Sequence, residues 1–312
     1  MSAPPAEASL DERITIRVIG AAAQRALAPG AAGRVIATFD RSFYVATGTG
    51  ALACFGAAAL GPGPLNVLIE ASRAHAMVIA RMVDGASVAV AEATVAVGPV
   101  RFSLADAKAW EPVRVANGAA TLARERTRLA LAAATLPRSG LAPLAKAAFL
   151  DRAALGRLRS PDPLLDAALP PFAALADWIG DALALGLDQP LAPVPAAVAT
   201  LVGLGPGLTP SGDDLIGGAL ILLREAGRPD IAAALAGFVL PLAERSTGAI
   251  SLAHLGAAAA GEATAALHDF LTVLAHGSDE ALAAALAEVG RVGHSSGLDA
   301  LAGIACVLAR LP

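Results

Sequence analysis

Two patterns of hydrophobic residues divide the chain. Up to about residue 104, short apolar segments rich in β-branched and aromatic residues alternate with turn residues, as in "SFYVAT" (42–47) and "LNVLIE" (65–70), which is typical of β-strands. After "WEP" (110–112), alanine and leucine dominate and apolar positions recur every three or four residues, which indicates helices. We therefore predict an α+β protein, with a β-rich N-terminal module over residues 1–112 followed by a mainly α-helical domain over residues 113–312.

Three local predictions follow from the same patterns. A helix is expected before the strands, over residues 16–27. The prolines at positions 170 and 171 are expected to separate two helices, because proline lacks the N–H group that a helix interior uses. His268 is expected to face solvent near a helix end.

Composition and charge narrow the classes of function. Of the 312 residues, 56% are hydrophobic and 16% charged, and the net charge is −4. No basic stripe is present, so nucleic acid is not an expected partner. Cys54 and Cys306 are too far apart for a CxxC metal site or a disulfide framework. The acidic start of the chain lacks the apolar centre of a signal peptide, and glycine and proline interrupt the uncharged stretch 42–69. We expect a soluble, cytoplasmic protein that binds no membrane.

The stretch "VGLGPGLTPSGDDLIGGAL" (202–220) holds the strongest candidate chemistry. Glycine allows backbone N–H groups to approach a ligand closely, and a helix N-terminus adds free donors, so the segment can hold an anion. The glycine spacing is not that of a dinucleotide-binding loop, and the lysine of a P-loop is missing. The predicted ligand is therefore a small anion held by backbone and hydroxyl donors.

The two adjacent carboxylates of this stretch are assigned different roles. Ser211 followed by Asp214 fits a capping box, in which serine and the acidic residue satisfy backbone N–H groups at the helix start. Neighbouring residues point about 100° apart around a helix. We therefore assign Asp214 to the cap and Asp213 to the site, where Asp213 could orient a substrate amide or bind Mg²⁺. No other cofactor is predicted.

The signature is repeated. The first motif, Ser211-Gly-x-Asp-x-x-x-Gly218, returns as the second motif, Ser296-Gly-x-Asp-x-x-x-Gly303, and "ERSTGAIS" (244–251) supplies a related turn. These segments give three helix entrances, by which we mean the residues that lead into a helix. Either they converge on one polar pocket, or they are three unrelated caps.

The candidate site combines residues from all three entrances. His294 is the acid–base candidate because histidine titrates near neutral pH, the alternative being a surface or capping histidine. The candidate catalytic residues are Asp213 and His294, and the candidate substrate-binding residues are Gly203, Gly205, Gly207, Thr209, Ser211, Arg245, Thr247, Ser295 and Ser296.

Several of these segments resemble one family. "GLGPGLTPSGDDLIGG", "ERSTGAIS" and "VGHSSGLDALAGI" resemble a family long described as a domain of unknown function and now associated with a subunit of oxamate carbamoyltransferase, from anaerobic allantoin breakdown in purine catabolism. "GPGPLNVLIE" (61–70) is similar to the N-terminal glycine-proline turn and strand of that family, so the resemblance spans about residues 15–310.

The resemblance implies a three-subunit enzyme that interconverts carbamoyl phosphate plus oxamate with oxalurate plus phosphate. The expected partners are a small anionic substrate, such as carbamoyl phosphate or oxamate, and two other subunits. "ERSTGA" departs from the Ser-Thr-Arg-Thr turn with which aspartate- and ornithine-type carbamoyltransferases hold phosphate. A relative acting on another amide, a non-catalytic anion-binding subunit and a scaffold subunit remain alternatives.

Overall fold

The computed structural model describes residues 14–70, 78, 82–187 and 189–312. Residues 1–13, on which the prediction about a signal peptide rests, lie outside the described residues. The chain divides into two compact units between Glu111 and Pro112. The first unit carries the strands and the second is helical, so the predicted α+β class is confirmed.

The first unit is a closed sheet. The strands are β1 (Ile14–Gly20), β2 (Ala32–Phe39), β3 (Ser42–Thr47), β4 (Leu52–Ala57), β5 (Asn66–Ile69), β6 (Ser87–Ala91), β7 (Thr94–Val97), β8 (Val100–Ser103) and β9 (Lys108–Trp110), with helix α1 (Ala21–Ala26) and a 3-10 turn (Ala58–Leu60) between them. Their order in the sheet is β5-β4-β3-β2-β6-β7-β8-β1-β9, and β1 also pairs with β5, so the strands from β1 to β8 form a barrel that β9 extends.

Alternating side chains fill the barrel, as the period of two along a strand requires. Phe43 stacks on Phe55 with ring centroids 5.1 Å apart, and the ring of Phe102 lies 5.1 Å from that of Phe55. All three side chains are fully buried. The aromatic residues of three different strands therefore form the centre of this unit.

The prediction of a helix over residues 16–27 was wrong for its first half. Residues 14–20 form β1, and only Ala21–Ala26 are helical. The run "ITIRVI" is rich in β-branched residues, which prefer extended backbone. Its pairing with β5, β8 and β9 also completes the sheet, a gain that local pattern does not reveal.

The second unit contains eleven α-helices among its described residues. They are α2 (Gly118–Arg124), α3 (Arg126–Ala133), α4 (Pro143–Ala147), α5 (Arg152–Arg157), α6 (Pro163–Leu183), α7 (Ser211–Glu225), α8 (Pro229–Ser246), α9 (Ala249–Ala259), α10 (Ala265–His276), α11 (Asp279–Val289) and α12 (Ser296–Leu308), with a 3-10 helix (Ala196–Leu201) before α7. In the part of the chain that the structure describes, no helix is both long and apolar enough to cross a membrane.

Pro170 and Pro171 do not separate two helices, contrary to expectation. Both lie inside the continuous helix α6. The fixed φ of proline is compatible with a helix, and the cost comes from missing hydrogen bonds and local crowding. The burial of Leu169 and Phe172 on either side favours continuation of the helix and offsets that cost.

Helices α7 and α12 form the centre of the second unit. Both are buried around almost their whole circumference, as expected of core helices, and they pack against each other more extensively than any other pair of elements. A Cβ added at Gly218 would lie 1.8 Å from the carbonyl oxygen of Ala300, and one at Gly303 would lie 1.9 Å from that of Leu215. The two backbones are therefore in direct contact, which brings the N-termini of the two helices together.

Candidate functional site

The two repeated motifs face each other across the contact between α7 and α12. The hydroxyl of Ser211, from the first motif, interacts with the carboxyl group of Asp299 in the second. Reciprocally, the hydroxyl of Ser296, from the second motif, interacts with the carboxyl group of Asp214 in the first. Each serine therefore favours the ionised form of the aspartate in the other copy, in an approximate two-fold arrangement.

The same relation extends into the loops before the helices. A Cβ added at Gly212 would lie 2.0 Å from the carbonyl oxygen of Leu201, and one at Gly297 would lie 2.0 Å from that of Val289. Gly212 and Gly297 thus each fit closely against the segment that precedes their own helix. Only glycine leaves room for backbone this close, so all four motif glycines have a packing role.

Asp213 stabilises the first helix entrance through three hydrogen bonds. It is 2% exposed. Its Oδ1 accepts a hydrogen bond from the N–H of Gly203 at 2.8 Å, and its Oδ2 accepts from the hydroxyls of Thr247 at 2.7 Å and Ser251 at 2.6 Å. These bonds connect the glycine loop to the turn between α8 and α9.

The surroundings of Asp213 do not fit the Mg²⁺ ion considered above. Both carboxylate oxygens are already bonded to donors, and an ion would place its positive charge against those N–H and O–H groups. Within the described ranges, no group of three or more histidine, cysteine, aspartate or glutamate side chains is placed to hold a metal ion. We therefore assign no metal to this carboxylate.

Asp214 does not act in a cap, which corrects the capping-box prediction. Helix α7 begins at Ser211, its N-cap is Pro210, and no side chain caps it. Ser211 therefore lies within the first turn, where its hydroxyl faces Asp299 instead of a backbone N–H group. The carboxyl group of Asp214 lies near the hydroxyls of Thr209 and Ser296.

Burial raises the pKa of Asp214 well above its usual value, and the negative charges of Asp299 and Asp213 add to the rise. The neighbouring hydroxyls of Ser296 and Thr209 act in the opposite direction. Burial likewise raises the pKa of Asp299, against the opposing effect of its hydrogen-bond donors. Both carboxyl groups therefore hold their protons to higher pH than an exposed aspartate does.

A fourth segment, which the sequence analysis missed, also contributes to the site. The N–H of Leu141 donates to Oδ1 of Asp299 at 2.5 Å, and the hydroxyl of Ser295 donates to Oδ2 at 2.8 Å. Gly140 has a φ of +51°, and a Cβ there would lie 2.4 Å from Oδ1 of Asp299. The glycine in "RSGLAP" was the available signal, but nothing in its local sequence connects it to a motif so far along the chain.

A comparison with protein-family models recognises the segment that holds both motifs. Residues 201–308 match the family model of oxamate carbamoyltransferase subunit AllH. The match runs from the end of the 3-10 helix to the end of α12, and so includes all three helix entrances. Comparisons with curated proteins and with solved structures give no significant match.

The AllH match confirms the suspected association with that family for residues 201–308. It covers a narrower range than the resemblance stated for residues 15–310. The likeness of "GPGPLNVLIE" (61–70) to the same family lies outside the matched segment and stays a prediction.

Most of the predicted site residues lie together within the AllH-matched segment. Thr209 and Ser296 share a hydrogen bond of 2.9 Å, and Thr247 bonds Asp213, so the three helix entrances converge. The residues joined by these contacts and those described above are Gly203, Thr209, Ser211, Asp213, Thr247, Ser295 and Ser296. Their role in binding a ligand stays a prediction.

The other predicted residues lie outside this set of contacts. Gly205 and Gly207 have φ values of +111° and +97°, and Gly207 is exposed. Arg245, in the last turn of α8, and His294, before the second motif, are also exposed, and neither is hydrogen-bonded or ion-paired to any residue that the structure describes. The acid–base role of His294 stays a prediction.

The expectation that His268 faces solvent was wrong. Its side chain is 1% exposed, its Nε2 accepts a hydrogen bond from the N–H of Ala263 at 3.1 Å, and its Nδ1 lies 3.7 Å from Glu225. Glu225 is also bonded by Arg114 at 3.1 Å and by the N–H of Val115 at 3.2 Å. His268 therefore belongs to a buried polar cluster that connects α7 and α10 to the start of the helical unit.

Proposed function

We propose that this chain is a subunit of an oxamate carbamoyltransferase, which interconverts carbamoyl phosphate plus oxamate with oxalurate plus phosphate. The observation that carries the proposal is the coincidence of two findings. The segment that matches the AllH model is also the segment in which three helix entrances rich in hydroxyl groups and glycines converge.

Carbamoyl transfer needs a cradle for the phosphate and donors for the carbonyl oxygen. The N–H groups of Gly205 and Gly207 make no backbone hydrogen bond within the described residues, so they are free to serve as anion donors at the N-terminus of α7. The N–H of Gly203 is different, because it is bonded to Asp213. We therefore place the phosphate at Gly205–Gly207 and assign Gly203 to the support of the loop.

The hydroxyl pair of Thr209 and Ser296 lies next to this cradle. Their hydrogen bond joins the first entrance to the third, so a ligand held there would contact both motifs at once. Ser295 is directed to Asp299 and therefore contributes by positioning that carboxylate. Ser211 has the same positioning role.

The cradle is poor in positive charge. Arg245 is the only arginine within the three helix entrances, whereas carbamoyl phosphate carries two negative charges, which proteins usually balance with several cations. We propose that the remaining charge comes from partner subunits, in agreement with the name of the matched family. The same deficit favours the alternative that this chain is a non-catalytic anion-binding or scaffold subunit.

The test is to assay carbamoyl phosphate formation from oxalurate and phosphate, first with the purified chain and then after co-expression with the two candidate partner subunits. We expect turnover only in the assembly, because the chain alone lacks charge at the cradle. Full activity of the isolated chain would contradict the proposed sharing of the site.

Paired variants separate catalysis from assembly. Ser296→Ala should lower turnover in the assembly without preventing its formation, since Ser296 joins the two motifs at the ligand position. Ser278→Ala is the control, because Ser278 only caps α11 and lies outside the site. An assembly that binds oxamate but is equally active with either serine variant would favour the anion-binding or scaffold alternative.

A further inference from the structure

We infer that Asp214 is a catalytic residue of this site and that its carboxyl group exchanges a proton with the reacting amide nitrogen of the substrate. This inference rests on the proposed function and adds to it a residue that the sequence had assigned to a helix cap.

The first support is a difference between two carboxylates in equivalent positions. Asp299 is fully buried, and its oxygens accept hydrogen bonds from the N–H of Leu141 and the hydroxyl of Ser295. Asp214 occupies the matching position in the first motif, but its Oδ2 is buried and has no hydrogen-bond partner among the described residues. The repeat thus contains one carboxylate with donors on both oxygens and one whose Oδ2 has no donor.

The nearby hydroxyls offset this deficit only in part. Thr209 and Ser296 lie beside Asp214 but are bonded to each other at 2.9 Å. Each hydroxyl has a single proton, so one of the two protons is used within the pair. A buried carboxylate oxygen without a donor is costly, and the N–H of a bound amide would supply the missing hydrogen bond.

The charges around Asp214 suit a group that takes up and releases a proton. The charged groups that act on it are Asp299, from α12, and Asp213, on its own helix, and both are negative. Burial and these charges raise the pKa of Asp214, and a carboxyl group with a raised pKa is a better proton donor and acceptor near neutral pH. Asp214 is half-buried as a residue, whereas its Oδ2 is buried.

The proposed step balances in both directions. When oxalurate reacts with hydrogen phosphate, a phosphate oxygen bonds to the carbamoyl carbon, and the bond from that carbon to the oxamate nitrogen breaks. Asp214 gives its proton to the departing nitrogen, and the proton of hydrogen phosphate restores the acid. In the reverse direction, ionised Asp214 accepts a proton from the amide nitrogen of oxamate as that nitrogen bonds to the carbamoyl carbon. The bond from that carbon to the phosphate oxygen breaks, and the departing phosphate takes the proton from Asp214.

The near-equivalence of the two motifs provides a matched pair of variants, Asp214→Asn and Asp299→Asn, each examined in the full assembly. Asp214→Asn should lower kcat for oxalurate breakdown by about 100-fold or more, the usual range for loss of a general acid–base group. Its KM should remain close to that of the wild type, and its melting temperature should be equal to or higher than that of the wild type, because the amide has no charge to bury. Asp299→Asn should lower the melting temperature, because its amide replaces an oxygen that accepts a hydrogen bond.

A second readout is independent of activity. The infrared band of the Asp214 carboxyl group, identified as the band lost in Asp214→Asn, should titrate at higher pH than an exposed aspartate does. The limb of the pH profile of kcat that follows this titration should also disappear in Asp214→Asn.

The outcomes separate the two proposals. Wild-type turnover together with an Asp214→Asn variant of near-normal kcat would overturn the role of Asp214 and leave the proposed function in place. A titration at the ordinary aspartate value would also overturn that role. If an assembly of folded subunits does not convert oxalurate, the proposed function is contradicted, and this inference with it.

Discussion

Replacing Gly218 by alanine tests whether the contact between α7 and α12 depends on glycine. The added Cβ would lie 1.8 Å from the carbonyl oxygen of Ala300 and 2.6 Å from its carbonyl carbon. The helices would have to separate by roughly 1 Å in a core packed as densely as an organic crystal. Overpacking of this kind typically costs about 1–3 kcal/mol, and we expect a value near the upper end because a backbone carbonyl cannot rotate away.

Gly217→Ala is the matched control on the same helix. A Cβ there would meet nothing closer than the Cβ of Ala258, at 3.6 Å, which is an ordinary contact. Alanine is favoured over glycine in a helix by up to about 1 kcal/mol. We therefore expect Gly217→Ala to be as stable as the wild type or more stable.

Thermal unfolding followed by far-UV circular dichroism measures the difference. For a unit of this size, each kcal/mol shifts Tm by about 2–4 °C, so Gly218→Ala should melt roughly 6–12 °C below the wild type. Gly303→Ala should behave similarly, since its Cβ would lie 1.9 Å from the carbonyl oxygen of Leu215. If Gly218→Ala and Gly217→Ala melt together, the close backbone contact is not what holds these helices in place.

Three further predictions concern the site. Gly207→Ala should cost only on the order of 1 kcal/mol of stability, because the φ of Gly207 is positive but an added Cβ would meet open space. Its affinity for carbamoyl phosphate should fall, and an affinity equal to that of the wild type by calorimetry would contradict the proposed phosphate cradle. Thr247→Val should destabilise the chain by about 1–3 kcal/mol in urea unfolding, since Asp213 loses one of its hydrogen-bond donors. Unchanged stability would show that the hydrogen bond between Thr247 and Asp213 is dispensable. The pKa of Asp214 is raised in the folded state. Its contribution to the free energy of unfolding therefore weakens as pH rises from the pKa of the unfolded state through the pKa of the folded state. The stability of Asp214→Asn relative to the wild type should therefore increase over that pH range, and a constant difference would contradict the shift.

The repeated motif was the most informative part of the sequence. A serine, an aspartate and a glycine at fixed spacing predicted related helix starts, and Thr209 and Ser296 do bond each other across them. Gly218, one turn after Asp214 in the first motif, allows the backbone of Ala300 to approach closely. A local signature can carry such information because residues a few positions apart determine where each helix starts and where its backbone is uncovered.

The environments of the three aspartates at the site could not be predicted in the same way. Asp213 is bonded by Thr247 and Ser251, and Asp299 by Leu141, all from segments distant in sequence. The position of Asp214 between two hydroxyls likewise depends on the packing of α12 against α7. Residues distant in sequence determine whether each oxygen of a carboxylate has a hydrogen-bond donor, and a single sequence does not specify those residues.

The closure of the N-terminal barrel was missed for a related reason. The segment at 14–20 has both apolar periodicity and β-branched residues, and its choice of strand depends on partners in β5 and β8. His268 was misplaced because its position near a helix end does not reveal that Glu225 lies beside it. In both cases, pairing between distant segments decided the outcome.

The close backbone contact between α7 and α12 also limits how the helical unit can move. Packed side chains can change rotamers and let two helices slide, but a contact made by backbone atoms at Gly218 and Gly303 has no rotamers to change. We therefore expect the two helices to move together. Any closure around a ligand is left to the loop 203–210 and to the turn between α8 and α9, which Asp213 couples through its bonds to Gly203 and Thr247, so that displacement of one is transmitted to the other.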